Sequence, residues 1–394
     1  MKKALALLLA LTMVFALAAC GKTPAPETSA PAKPEGSAPV TVAGIPADQL
    51  KIGVVMIGDE SDMGYNYNHV VGIKEMQKKF GLKDEQIIYK PNTPEGSECD
   101  TAVRELCEAG CNIIFGNSFG FEPFMVEVAP EFPEIQFCHA TGYVSAGDEL
   151  ENTHNYFAGI HEARYLAGIA AGLKTANNHL GYVAAKPFAE VISGFTAFYL
   201  GAKSVNPDVV MDVIYTNSWS DATLEAQTAQ ALIDGGCDVI SQHSDTTAPA
   251  TTAEKNGVFQ VGYNADMITA APKASLVSAR VAWGVYYIEA IQDMIDGTPI
   301  PQDWCKGFAD GAVYLSPLNE AIIGEGTKEA IEKAEAGIKD GSLHVFAGPL
   351  SGVGKDFDGK EIKMDVAEGD FFAEGVKGSA PAWCYIIPGI TVLG

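Results

Sequence analysis

Aromatic and polar side chains together follow several short apolar runs in this 394-residue chain. Such runs are typical of buried parallel strands, and in open α/β sheets the loops after the strands carry the ligand-binding groups. Aromatic rings can stack on a planar ligand, while Asn, Asp, Ser and His side chains hydrogen-bond to its edge. The candidate ligand-binding residues are Asp59, Tyr65, Asn66, Asn117, Ser118, Trp219, His243, Asp245, Asn264 and Asp266.

Trp219 is the candidate that a structural role explains least well. It lies in the polar loop Asn217 to Asp221, which has no local apolar pattern that a large ring could join, and this favours a ligand contact. The acidic candidates have competing structural explanations. Asp221 also suits a helix N-cap, and Asp245 and Asp266 also suit turns.

Catalytic and metal-binding motifs explain these residues less well. The sequence has no HExxH motif, no P-loop and no GxGxxG motif. The sequence from Gly116 to Gly120 matches the GxSxG pattern. In that interpretation, Ser118 would be the nucleophile of an exported hydrolase. The matching later loop, His243 to Asp245, lacks the glycines, and this favours a pair of binding loops. His154 and His161, taken to share one helix, give only two ligands, so we predict no enzyme, metal or cofactor.

The candidate residues occupy matching places in two similar halves of the chain. The run from Cys111 to Ser118 and the run from Cys237 to Ser244 share a cysteine, an apolar core and a serine. In both halves, strand patterns alternate with helical ones, which predicts parallel sheets with right-handed crossovers. The folded part exceeds the ~250 to 300 residues that a single core usually serves. We therefore predict an α/β fold of two Rossmann-like lobes that bind ligand between them.

The order of the predicted elements gives the domain boundaries. We expect lobe 1 to comprise residues 48–155 and 278–310, and lobe 2 to comprise 156–277, beginning with a helix over 156–173. A helical pattern from Val281 to Met294 indicates a return to lobe 1. We expect residues 311–394 to be shared between the lobes.

The N-terminus predicts export and lipidation. Met1 to Lys3 is basic, the following stretch is apolar, and Leu17 to Gly21 resembles the bacterial lipoprotein box. We predict a signal peptide over 1–19, a lipidated Cys20, and a Pro-, Ala- and Ser-rich linker over 20–47. The protein is therefore expected at the cell membrane, anchored by lipid on the extracytoplasmic face.

Charge and cysteine usage exclude some partners and frameworks. The formal net charge of −24 repels nucleic acid, so no nucleic-acid partner is expected. Seven cysteines remain beside Cys20, and an odd number precludes a fully paired disulfide framework within one chain. The sequence leaves a Cys305 to Cys384 bridge undetermined.

Residues from about 51 to about 300 resemble the basic membrane protein family of ABC-transporter solute-binding lipoproteins, whose purine nucleoside receptors are the better understood members. The resemblance rests on the lipoprotein signal and on the segments Gly53 to Val55, Glu162 to Gly168, Gly194 to Phe195, Gly201 to Ala202, Asn206 to Pro207 and Gly236 to Ile240. It implies a type I periplasmic-binding-protein fold in which a multi-strand hinge, crossed three times, joins the lobes.

The resemblance also implies roles for single residues. Asp59 would bind the ligand, Tyr65 would stack on it in place of a Phe, and Asn66 would match the adjoining Asn. Trp219 would be the second stacking residue, and Asp266 would bind the ribose hydroxyls.

Two departures from the family pattern concern ribose recognition and leave recognition of a purine base intact. The lysine expected after the second crossing is absent from Leu276 to Trp283. His243 to Thr247 replaces the family's glycine-rich loop.

These observations predict a lipid-anchored solute-binding component of an ABC importer. Its ligand would be a small aromatic heterocycle, above all a purine base or nucleoside, captured by hinge closure and delivered to the ABC permease subunits. Two alternatives remain open at this stage. One is a ligand-sensing subunit that passes occupancy to a membrane signalling protein, and the other is the exported hydrolase.

Overall fold

The computed structural model describes residues 44–143, 150–356, 359–375 and 378–394. The predicted signal peptide, the predicted lipidation site Cys20 and most of the predicted linker lie outside these residues. Within the described residues, no helix has both the length and the apolar character needed to cross a membrane.

Helices and strands alternate along most of the chain. The helices are α1 Tyr65–Phe80, α2 Ser97–Glu108, α3 Glu122–Val128, α4 Ile160–Lys174, α5 Ala189–Val205, α6 Ala222–Asp234, α7 Ala248–Asn256, α8 Trp283–Asp296 and α9 Thr327–Asp340. The strands are β1 Ile52–Val55, β2 Ile87–Lys90, β3 Ile113–Gly116, β4 Gln136–Ala140, β5 Thr153–Tyr156, β6 His179–Ala184, β7 Val210–Tyr215, β8 Val239–His243, β9 Phe259–Tyr263, β10 Ser275–Val281, β11 Asp303–Trp304, β12 Val313–Leu315, β13 Leu350–Lys355, β14 Glu361–Val366, β15 Tyr385–Ile386 and β16 Ile390–Leu393.

Two separate sheets form the frame of the molecule. The first has the order β11-β5-β4-β3-β1-β2 and is parallel throughout, and we call the part of the chain built on it lobe 1. The second has the order β12-β10-β9-β8-β6-β7-β16, in which only β12 is antiparallel, and the part built on it is lobe 2. The central strands are buried on both faces, as expected for parallel sheets covered by helices.

The chain passes between the lobes three times. It enters lobe 2 after β5, returns to lobe 1 between β10 and α8, which packs on α1, and re-enters lobe 2 between β11 and β12. These passages agree with the three crossings implied by the family resemblance. All predicted site loops follow the carboxyl ends of strands in one lobe or the other.

The predicted helix over 156–173 is wrong at its start. Thr153–Tyr156 forms β5, and the helix begins at Ile160. The strand was hidden because its interior residues, His154 and Asn155, are polar. The His154 imidazole bonds to the Gln136 amide oxygen at 2.7 Å, which accommodates it in the sheet. His154 and His161 therefore do not share a helix.

The tail after β12 packs mainly on lobe 2. Strands β13, β14 and β15 form a small antiparallel sheet, α9 packs on α4, and β16 extends the second sheet beside β7. The Ser379 amide also donates to the Asp303 carboxylate at the edge of the first sheet, so the tail contacts both lobes. The seven described cysteines, including Cys305 and Cys384, are free thiols.

Candidate functional site

A cavity lies where the carboxyl ends of the two sheets face each other, and it encloses about 330 Å³ of atom-free space, counting its open mouth. Lobe 1 contributes Ile57, Tyr65, Asn117, Ser118, Phe119 and Thr141 to its wall, and lobe 2 contributes Glu190, Trp219, His243, Asp245 and Tyr263. Ligands of doubly wound sheets bind at this end of the strands.

The first turn of α1 places the Tyr65 side chain in the wall. The Asp62 carboxylate accepts hydrogen bonds from the backbone amides of Gly64, Asn66 and Tyr67, which otherwise lack helical partners. Burial raises the pKa of Asp62, and these hydrogen bonds oppose that rise. The Tyr65 hydroxyl donates to the Asn117 carbonyl at 2.6 Å, so the ring is fixed from both ends.

Asn66 forms a clasp with Asn117, which lines the cavity wall. The Asn117 side-chain amide donates to the Asn66 amide oxygen at 2.9 Å, and that oxygen also accepts from the Gly58 backbone at 3.2 Å. The Asn117 amide oxygen accepts from the Ile57 backbone at 3.0 Å. Both side chains are therefore occupied in joining the loops after β1 and β3.

Glu95 connects the two lobes at the cavity edge. Its carboxylate accepts from the Ser118 hydroxyl at 2.7 Å and from the Gly120 amide at 2.9 Å, both in lobe 1. It also pairs with the Lys186 ammonium of lobe 2 at 3.2 Å. Burial acts to raise the pKa of Glu95, but these hydrogen bonds and the Lys186 charge lower it below its usual value. Glu95 is thus held ionised between the lobes.

Trp219 lies in the loop after β7, half-buried, beside other aromatic rings. Its ring centroid is 6.0 Å from that of Phe188 and 5.1 Å from the Lys186 ammonium. Phe188 in turn lies 4.9 Å from Phe119 of lobe 1. The Trp219 indole N–H is buried and has no hydrogen-bond partner among the described residues.

His243 and Glu190 form a buried pair in the lobe 2 wall, with His243 Nε2 3.3 Å from Glu190 Oε1. Burial raises the pKa of Glu190 to about 8, although the Arg164 charge opposes the rise. Burial, with the Arg164 charge, holds the pKa of His243 well below its usual value. Because both shifts favour the neutral forms, the contact at pH 7 is a hydrogen bond between uncharged groups rather than an ion pair.

Asp245 is buried, and its backbone contacts the other lobe. A Cβ added at Gly64 of lobe 1 would lie 1.7 Å from the Asp245 carbonyl oxygen, so glycine is required for this approach. Burial raises the pKa of Asp245 well above its usual range, reinforced by the charges of Asp62, Glu225 and Glu190. Among the described residues, no donor forms a hydrogen bond to its carboxylate.

Comparison with known proteins identifies the family. The family model of PnrA-like ABC transporter substrate-binding proteins, Bmp, matches residues 49–343. The chain is 37% identical over 314 residues to a purine-binding protein of Brucella abortus, an alignment that covers 80% of this chain and 87% of that protein. The chain belongs to the Bmp family.

Two further comparisons extend this result. A putative ABC transporter glucose-binding protein of Haloferax volcanii, TsgA13, is 30% identical over 363 residues, which cover 92% of this chain and 89% of that protein. The fold is similar to that of an ABC transporter solute-binding protein from Aeropyrum pernix K1, with a TM-score of 0.66 and 19% identity over 78% of this chain and 95% of that one. The predicted family and type I periplasmic-binding-protein fold are confirmed, and the protein is an ABC transporter solute-binding protein.

Six of the predicted site residues of this Bmp protein line the cavity: Tyr65, Asn117, Ser118, Trp219, His243 and Asp245. Four do not. Asn66 lies beneath the wall in the clasp, and Asp59 caps the short helix Glu60–Asp62 through the Ser61 amide. Hydrogen bonds from Ser61 and Asn92 lower the pKa of Asp59 to about 2.

Asp266 and Asn264 also stand outside the wall. The Asp266 carboxylate accepts from the Ile268 amide and caps Met267–Thr269, so the turn explanation fits its observed contact. Asp221 likewise caps α6 through the amides of Thr223 and Leu224. Asn264 has positive φ, and both polar atoms of its buried side chain lack a hydrogen-bond partner within the described part of the chain.

Five wall residues were not predicted: Ile57, Phe119, Thr141, Glu190 and Tyr263. Phe119 and Tyr263 directly adjoin predicted residues in the sequence, so their position alone could have indicated them. Glu190 gave no such signal, because a single Glu in the first turn of a helix usually complements the helix dipole. Whether Glu190 faces the cavity depends on where α5 begins relative to the end of β6.

Proposed function

We propose that this Bmp protein captures a purine base or a purine nucleoside for an ABC importer. The main support is that Tyr65 of lobe 1 and Trp219 of lobe 2 line the same cavity, so that both lobes offer an aromatic ring to one planar ligand. Unpartnered polar groups nearby, including the Trp219 indole N–H, can hydrogen-bond to the edge of a heterocycle. The Brucella abortus relative, which is named a purine-binding protein, supports the same ligand class.

We further propose that the ligand is captured by closure of the lobes. Contacts between the lobes at the cavity include the approach of Gly64 to Asp245, the Glu95 to Lys186 ion pair, and the packing of Phe119 on Phe188. Each joins loops on different sheets, so an opening motion about the three crossings would separate them. A ligand that contacts both walls would favour the closed arrangement.

Calorimetry with the purified chain lacking residues 1–19 tests the ligand class. We expect saturable binding of adenine or adenosine and no binding of glucose, which is the competing ligand because the Haloferax volcanii relative is named a putative glucose-binding protein. Mass spectrometry of any ligand retained after mild purification gives an independent identification. Glucose binding without purine binding would overturn the proposal.

Membrane anchoring through Cys20 is part of the same proposal. Its support is the lipoprotein-like sequence from Leu17 to Gly21 after a basic and apolar start. Cys20→Ala should abolish incorporation of labelled fatty acid and remove the lipid-anchored form from the membrane fraction. Ser37→Ala, in the predicted linker, is the matched control and should leave labelling unchanged. Undiminished labelling of the Cys20→Ala protein would contradict the anchor.

A further inference from the structure

The polar groups that face the cavity are divided unevenly between the lobes. In lobe 1, the Tyr65 hydroxyl donates to Asn117, the Ser118 hydroxyl to Glu95, and the Thr141 hydroxyl to the Ala140 carbonyl. Their donors are therefore already used within that lobe. In lobe 2, the Trp219 indole N–H and the Tyr263 hydroxyl are buried without a partner among the described residues. Hydrogen bonds to a ligand edge must therefore come mainly from lobe 2.

Two carboxyls of lobe 2, Glu190 and Asp245, also face the cavity with few hydrogen-bond partners. Glu190 is 9% exposed and Asp245 is 4% exposed, so solvent satisfies neither of them well. Glu190 contacts the His243 imidazole at 3.3 Å, and within the described chain no donor reaches the Asp245 carboxylate. A buried carboxyl without enough donors is costly, and this cost falls when a ligand supplies them.

The neighbouring cations do not supply the missing donors, although the Arg164 Nε and Nη2 atoms have no hydrogen-bond partner among the described residues. The Arg164 guanidinium donates to the Gln242 carbonyl at 2.6 Å, and its Cζ lies 3.6 Å from the centroid of the Tyr263 ring. Lys186 pairs with Glu95. Neither forms an ion pair with Glu190 or Asp245 in the described structure. Burial raises the pKa of both carboxyls, to about 8 for Glu190. Such a rise is expected for buried carboxyls that have too few hydrogen-bond donors to stabilise their ionised forms.

We propose that Glu190 and Asp245 make the site selective for amino-substituted purine bases, by accepting hydrogen bonds from the exocyclic amine and a ring N–H of the ligand. This inference rests on the proposed purine-binding function. Trp219 and Tyr263 supply donors for the acceptor nitrogens of the ring, so the two carboxyls are the complementary acceptors. Above about pH 8, where Glu190 is ionised, a ligand that presents a carbonyl oxygen at the same edge would place acceptor against acceptor, and a phosphate would add charge repulsion.

Pairs of purines that differ in one exocyclic group provide the test. Adenine and hypoxanthine have nearly the same size but differ in a 6-amine or a 6-carbonyl, and guanine and xanthine differ likewise at position 2. The measurement is calorimetry at about pH 9, above the Glu190 pKa of about 8, with the chain lacking residues 1–19. In the pair that binds more tightly, the amino member should have at least tenfold higher affinity than the oxo member. Adenosine monophosphate should bind at least tenfold more weakly than adenine.

Variants assign the preference to the two carboxyls. Asp245→Asn and Glu190→Gln each replace one acceptor oxygen with an amide donor, and each should reduce the amino-to-oxo affinity ratio at least fivefold. Asp234→Asn removes an exposed carboxylate from the same lobe away from the cavity wall, and should leave the ratio unchanged. Melting curves identify any variant that fails to fold. The amino-to-oxo affinity ratio of the other variant then tests the assignment.

The outcomes separate this inference from the function on which it rests. Purine binding without an amino preference, or a preference that both folded variants retain, overturns the selectivity and leaves the purine-binding function standing. A wild-type chain that binds none of the four bases and no adenosine overturns the proposed function, and the selectivity with it.

Discussion

Trp219 combines two properties that separate a ligand contact from a core residue. Its ring lies against Phe188 and Lys186 in the cavity wall, yet its indole N–H has no partner within the described residues. Stacking of an aromatic side chain on a base contributes about 1 to 3 kcal/mol. Trp219→Ala should therefore weaken purine binding roughly tenfold to a hundredfold, at ~1.4 kcal/mol per decade.

Trp219→Phe is the matched variant, and calorimetry with a melting curve on each protein is the measurement. Phe keeps a ring for stacking and loses the N–H donor, so its affinity should lie between those of the wild type and the Ala variant. If Trp219 were mainly a core residue, Trp219→Ala would lose about 3 to 5 kcal/mol of stability. A large fall in melting temperature with intact affinity would contradict the stacking role.

Glu190 makes the stability of the ligand-free protein depend on pH. Its pKa is about 8 in the folded protein against a usual value of 4.5, so the folded state binds a proton that the unfolded state has released between those values. Its contribution to stability is complete below about pH 4.5 and is lost as the pH rises towards about 8. The melting temperature of the wild type, relative to Glu190→Gln, should therefore fall across this range.

Melting curves of the two proteins at matched ionic strength, from about pH 5 to about pH 9, measure that difference. Other titrating groups contribute to both curves and cancel in the comparison. Asp234→Asn serves as the control, because its carboxyl is exposed and away from the cavity. Parallel wild-type and Glu190→Gln profiles would mean that Glu190 is already ionised at low pH, contrary to the expected shift.

At the scale of elements, the sequence predicts the frame better than it predicts what the polar loop residues contact. Apolar runs such as Ile113–Gly116 give the parallel strands because burial on both faces leaves a pattern that tertiary context does not change. Asn66, predicted as a ligand contact, lies outside the cavity wall and joins two loops, whereas Asn117 joins the same loops and also lines the cavity. An amide that binds a ligand and one that binds a backbone have the same sequence signature, so only the fold distinguishes them.

Gly64, the residue before α1, closely approaches the backbone of Asp245 in the other lobe. An added Cβ there would lie 1.7 Å from the Asp245 carbonyl oxygen, a clash that only a shift of one lobe can relieve. Gly64→Ala should therefore weaken ligand binding at least tenfold while changing the melting temperature of the free protein little. Gly96→Ala, before α2, is the control, because its Cβ meets only the flexible end of Glu98. Equal affinities of the two variants would show that this approach is not part of closure.

At the scale of the whole molecule, the ligand site exists only when the two sheets face each other. Lobe 1 supplies the Tyr65 ring with its donors already used, and lobe 2 supplies the Trp219 ring with unpartnered donors, so only the two lobes together place a ring on each side of the cavity. The sequence indicates the duplication, but the pairing of Tyr65 with Trp219 or of Glu95 with Lys186 depends on the angle between lobes. That angle is set by three crossings distant in sequence, which no local pattern encodes.

Closure makes a prediction that scattering can measure. Opening about the crossings would separate the cross-lobe contacts at Gly64, Glu95 and Phe119 and enlarge the molecule along the direction between lobes. The radius of gyration of the free chain should therefore decrease when a bound purine is added to saturation. Gly64→Ala should have the larger radius in both conditions, because its Cβ opposes the closed arrangement. A wild-type radius that does not change with ligand, and equals that of Gly64→Ala, would contradict hinge closure. A wild-type radius that does not change but is smaller than that of Gly64→Ala would instead show that the free protein is already closed, and ligand would then act by slowing reopening.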